Sequence, residues 1–101
     1  MASVSAGLAA AGKIPFANTF AKFLVRAYDQ IEMAAYTCAN MKLVGSHSGV
    51  SLGPDVPSQM GVVDTAFFHA LASVRTPKGH RGAVVLNPCD ASSRRMLYLM
   101  P

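Results

Sequence analysis

From Phe20 onward, Phe20, Phe23, Leu24, Ala27, Ile31, Ala34 and Ala35 fall on one helical stripe, with Lys22, Arg26, Asp29 and Glu32 off it. This predicts an amphipathic helix, and Asn18 and Thr19 just ahead are good N-cap types. Val63, Phe67, Leu71 and Val74 repeat at helical spacing and predict a second helix over about Val62 to Leu71, with Asp64 in the first turn where a negative charge suits the dipole. Ala2 to Gly12 is Ala-rich, with Val4, Leu8 and Ala11 on one face. It suits a small-residue helix that neighbours approach closely, stopped by Gly12. Ile14 to Ala17, Met41 to Val44 and Ala83 to Leu86 are short apolar runs of strand type, with Pro15 restricting the first to a strand start or edge. Thr76 to Gly82 is a turn-rich basic loop, and Asp90 or Ala91 opens a last helix toward Pro101. The alternation of helix and strand implies crossover connections and a mainly parallel, Rossmann-like α/β sheet with helices on both faces. Three strands make a thin sheet, so the chain reads as a domain truncated at both ends.

Between the second strand and the helix after it lies Gly45 to Met60, GSHSGVSLGPDVPSQM, with four Ser, three Gly, two Pro, a His, an Asp and a Gln. This is loop chemistry. A loop that leaves a strand end and enters a helix sits where open α/β sheets bind ligands, so the stretch reads as a binding loop.

Composition narrows the class. At 101 residues the chain is one domain, and 51% hydrophobic against 14% charged residues suits a piece of something larger or one side of an obligate interface. The formal charge of +4 is spread too thinly for a nucleic-acid footprint. Cys38 and Cys89 lack metal-ligand spacing and read as two buried thiols. The opening MASVSAGLAAAG has no positive n-region, and Lys13 follows the apolar stretch rather than preceding it, so a secretory leader is not indicated. No apolar run reaches the roughly 18 residues of a membrane span. The expected compartment is the cytoplasm, with no membrane and no nucleic acid as partner. There is no GxSxG elbow, no GxGxxG and no Lys-Ser or Lys-Thr phosphate cradle.

AGLAAAGKIPFANTFAKFLVRAYDQIEMAA, then KLVGSHSGVSLGPDVPSQM, the helix around FFHAL and the NPCDASS turn together resemble the middle, pyrimidine-binding domain of transketolase. The likeness runs from about Met1 to Ser93 within a single 1–101 domain, and the SQM ending resembles the animal-type branch. It implies a thiamine diphosphate enzyme that moves a two-carbon ketol unit between sugar phosphates. In that family the cofactor carries the chemistry. Its diphosphate and Mg²⁺ are held by another domain, so the implied partners are a diphosphate-binding domain or subunit, in a homo- or hetero-oligomer, and a sugar phosphate substrate.

Carried over position by position, the family's aromatic platform for the pyrimidine ring falls on Phe23, with Phe20 beside it, and a third aromatic of some members falls on Arg26. The family's substrate-facing His falls on His47, its hydroxyl-binding carboxylate on Asp55, and Gln59 matches a cofactor-reaching position. On their residues alone, the two Phe side chains equally suit a core stripe, His47 a solvated loop, Asp55 a turn and Gln59 a cap. His69 and His80 match no family site. No catalytic residue is assigned: the family's Glu falls ahead of Met1, Glu32 lies on the polar face of its helix, and the Arg that grips the substrate phosphate falls beyond Pro101. Val56 stands where the family has Gly, and Pro54 where it has an acid. Two expectations follow. One is a transketolase fragment or split subunit that completes a cofactor site with other polypeptide; the other is a non-catalytic, truncated remnant. Either is expected to be marginally stable or self-associating through uncovered sheet edges.

Overall fold

The computed structural model describes residues 1–50 and 52–93. The elements are, in order, helix α1 (Ala2–Ala10), strand β1 (Phe16–Phe20), helix α2 (Ala21–Leu24), a 3₁₀ turn (Val25–Ala27), helix α3 (Tyr28–Tyr36), strand β2 (Lys42–Ser46), a second 3₁₀ turn (Gly53–Asp55), helix α4 (Val56–Gln59) and helix α5 (Asp64–Ala72). β1 and β2 pair in parallel, with Phe16 opposite Lys42 and Phe20 opposite Ser46. Parallel strands need a crossover, and α2, the 3₁₀ turn and α3 supply it. The architecture is therefore the expected α/β type. Both strands end at one edge of the sheet, so α2 and the polar loop leave it side by side.

The long helix foreseen from Phe20 differs in two ways. Phe20, Thr19 and Asn18 belong to the β1 ladder, so Phe20 enters α2 as an extended residue and no side chain caps the helix. The helix is also interrupted by 3₁₀ geometry at Val25–Ala27. The apolar stripe nevertheless buries as expected across the break: Leu24, Ile31 and Ala35 join Ala2 and Leu71 in one core cluster, backed by Ala27, Leu43, Phe67, Phe68 and Ala83. Burying a side chain such as Leu24 contributes about 1.5–3 kcal/mol relative to exposure.

α1 turns the face opposite to the expected one inward. Ala2 and Ser5 are buried while Val4 and Leu8 are exposed, because small side chains allow the close approach to the rest of the domain. In α5, Leu71 is buried and Phe67 half-buried, whereas Val63 precedes the helix and is exposed and Val74, half-buried, lies just past its end.

Three further expectations are corrected. Residues 83–86 form no strand among the described residues: Val84 and Leu86 are exposed, and a cavity of about 250 Å³ is lined by this stretch and by Leu43 and Gly45 of β2. Without backbone pairing to β2 the run has no ladder to bury it, and the described sheet has two strands rather than three. Cys38 and Cys89 are free and exposed, not buried. Cys38 occupies a left-handed position just past α3, and Cys89 follows the exposed residues 86–88. The last helix does begin at residue 91, and its continuation beyond 93 lies outside the described residues.

Candidate functional site

The parallel register brings Phe20, at the end of β1, alongside the residues that follow β2. Its ring stacks on that of Phe23, centroids 5.6 Å apart and planes within 5°, and lies 4.3 Å from the imidazole of His47. Phe20 is half-buried and Phe23 is 38% exposed. The core-stripe alternative therefore fails for Phe23, and an aromatic surface is left open at the carboxyl ends of the strands. A flat ring gains both apolar contact and stacking there. Beside Phe23 lies a hollow lined by Met1, Thr19, Leu24, Arg26 and Gln30.

His47 adopts a left-handed backbone, φ 52°, a conformation uncommon for a residue with a Cβ and one that collects at functional sites. The hydroxyl of Ser46 reaches Thr19 O at 3.4 Å, and His47 Nδ1 lies 3.1 Å from the same oxygen. Ser46 has one proton to donate, so with that proton on the Thr19 carbonyl its oxygen accepts from His47 Nδ1–H. Nε2 then carries the lone pair, suited to accept a hydrogen bond from a hydroxyl.

Gln59 and Asp55 stand apart from this trio. Gln59 ends α4, half-buried, with Oε1 accepting from Ser58 Oγ. The next residue, Met60, has its carbonyl held by Lys22 Nζ at 3.2 Å, and Lys22 precedes Phe23, so Gln59 is tied to the aromatic helix through one intermediary. Asp55 is exposed at the end of a 3₁₀ turn, and among the described residues no hydrogen bond joins it to Phe20, Phe23 or His47. The loop is also more ordered than its composition suggests. β2 reaches Ser46, residues 53–59 are helical, and Gly49 bridges to Gly61.

Glu32 is committed elsewhere, accepting from Tyr28 OH at 3.2 Å and Tyr36 OH at 3.4 Å. The hydrogen bond to Glu32, and then its charge, raise the Tyr28 phenol above its ordinary pKa. His69 and His80 are both exposed. Among the described residues no group of three or more His, Cys, Asp or Glu could hold a metal, and no helix is long and apolar enough to cross a membrane.

Two contributors escaped the sequence reading. Asp64 is 2% exposed and accepts from Thr65 N–H at 2.7 Å and from Gly49 N–H at 3.4 Å, and a Cβ on Gly61 would overlap its carboxylate. Its one visible signal was an acid opening an apolar helix. Lys22 looked like an ordinary solvated face residue.

An aromatic pair and a histidine thus stand together at the carboxyl ends of two parallel strands in an α/β domain. The family described as "Transketolase, pyrimidine binding domain" matches residues 1–100, and the chain belongs to that family. It is 44% identical over 101 residues to transketolase-like protein 2 of Mus musculus, covering 98% of this chain and 15% of that protein. Over 72 residues it is 49% identical to transketolase of Homo sapiens, covering 70% of this chain and 12% of that protein, and 50% identical to transketolase-like protein 1 of Bos taurus, again 70% and 12%. The chain thus spans about 15% or less of the length of these relatives.

Proposed function

We propose that the chain supplies the pyrimidine-side wall of a thiamine diphosphate site for two-carbon ketol transfer between sugar phosphates, completed by a diphosphate-binding domain on other polypeptide. The observation that carries this is the parallel Phe20–Phe23 pair beside His47, open to solvent at the carboxyl edge of the sheet. The residues present fit the group, because the partly exposed Phe23 ring, stacked on Phe20, offers a flat apolar face to an aminopyrimidine. When bound, thiamine diphosphate supplies the carbanion-stabilising chemistry. Phe23 and Phe20 bind and orient the ring, and His47 Nε2 accepts a hydroxyl of the sugar. Gln59 approaches the cofactor from the far end of the loop, and Asp55 contacts substrate only when the sugar phosphate draws its turn inward.

Among the described residues no carboxylate is hydrogen-bonded to Phe20, Phe23 or His47. The single Glu is held by two tyrosines, and Asp64 is turned into the loop base. This favours a wall that does not turn over by itself, with Mg²⁺ and the diphosphate held by the complementing domain. Exposed Phe16, Ile14 and Val44 around the sheet support association with a further chain, homo- or hetero-oligomeric. The test is complementation. A transketolase stripped of its pyrimidine-binding domain should retain thiamine diphosphate through gel filtration when mixed with this chain. Failure of a folded sample to restore retention favours the alternative, a non-catalytic remnant.

A further inference from the structure

The loop that carries His47 and Gln59 is closed at its base by three ties. Gly61 N–H donates to Gly49 O at 2.9 Å. Asp64 uses one oxygen for Thr65 N–H, which would suffice to serve its own helix, and the other for Gly49 N–H, fifteen residues back. Lys22 Nζ holds Met60 O, from the residue preceding Phe23 to the residue following Gln59. Only a glycine at 61 leaves room for the Asp64 carboxylate in this arrangement. A buried carboxylate is costly unless its oxygens find donors, and this one finds part of its solvation in the loop rather than in its helix.

The geometry points to Asp64 as a positioning residue for the site. Together with Lys22 it pins both ends of the 49–61 loop, which holds His47 in its left-handed conformation against Phe20 and keeps Gln59 beside the aromatic helix. Neither side chain touches the ring that the site takes; both act through the loop. The functional half of this inference rests on the thiamine diphosphate reading above, and the structural half does not.

Asp64→Asn separates the two duties, because the amide keeps an oxygen for Thr65 N–H and presents a donor to Gly49 N–H. Two readouts on the full chain need no ligand: amide exchange at Gly49, and the imidazole proton resonances of His47, which the neighbouring Phe20 ring displaces. The third is titration with thiamine diphosphate and Mg²⁺ in the presence of a separate diphosphate-binding transketolase domain. In the Asn variant, Gly49 exchange should rise about tenfold, the His47 resonances should move toward free-histidine positions, protection within α5 should persist, and affinity should fall about tenfold. Lys22→Met, which leaves Asp64 intact, should also shift His47 and lower affinity, and it decides the matter if the Asn variant does not fold. Unchanged His47 resonances in a folded variant overturn the brace. Freed His47 with undiminished affinity overturns the positioning role. Freed His47 in a protein whose wild type binds no thiamine diphosphate upholds the brace and removes the cofactor reading instead.

Discussion

The imidazole of His47 lies against the ring of Phe20, 4.3 Å between centroids and tilted by 36°, because the parallel register ends both strands at the same edge. His47 holds this place at a φ of 52°, where a side chain is strained. His47→Gly should therefore keep or raise stability by up to about 1 kcal/mol while deleting the imidazole. His47→Val, β-branched at positive φ, should lose about 1–3 kcal/mol. Thermal denaturation of the two variants side by side checks the order.

Helices α1 and α3 end in the same motif with different residues. At α1, Gly12 N–H bonds Ala9 O and Lys13 N–H bonds Leu8 O; at α3, Cys38 N–H bonds Ala35 O and Ala39 N–H bonds Ala34 O. Both are Schellman endings, with Gly12 at φ 77° and Cys38 at φ 51° in the left-handed position. Cys38→Gly should stabilise by about 1 kcal/mol and raise the Tm by roughly 4–8 °C. A lower Tm would contradict this reading of the helix end.

Leu24 and Phe23 are neighbours with opposite duties. Leu24 is 2% exposed in the core and Phe23 is 38% exposed at the site. Leu24→Ala should cost about 2–5 kcal/mol in urea denaturation. Phe23→Ala should cost well under that, about 1 kcal/mol, with its effect falling on ligand binding.

Asp90 opens the turn at 91–93 with a reciprocal cap: Oδ1 accepts from Ser93 N–H at 2.6 Å, and Ser93 Oγ accepts from Asp90 N–H at 3.2 Å. The Ser93 N–H bond first, then the Ser93 hydroxyl, lower the Asp90 pKa below its usual 3.8. A depressed folded pKa contributes stability above the unfolded value and loses it as pH falls through the folded one. The Ser93 amide should thus stay protected at neutral pH and open only below about pH 4, whereas Asp90→Ala should expose it at every pH. Amide exchange across pH 2–7 reads both.

Much of this was legible in the chain. Gly12 announced a helix stop, the stripe through Leu24, Ile31 and Ala35 announced a core face, and GSHSGVSLGPDVPSQM announced the connection between the second strand and the helix after it. Phe20 was misplaced from strand to helix because one apolar spacing serves both readings, and only pairing with Ser46 decides between them. Cys38 was expected to be buried as a small hydrophobe, but backbone bonds past Tyr36 fix it outside. The run at 83–86 has strand composition but pairs with no strand among the described residues. Asp64 could not be read, since its second acceptor duty depends on a fold that brings Gly49 to it.

The most direct measurement is a calorimetric titration of the folded chain with thiamine diphosphate and Mg²⁺, alone and with a separate diphosphate-binding transketolase domain. Binding should occur only with the added domain, and Phe23→Ala should weaken it about tenfold, as loss of an aromatic stacking face does. No binding in either setting, or equal binding by Phe23→Ala, would contradict a pyrimidine wall built on Phe20 and Phe23.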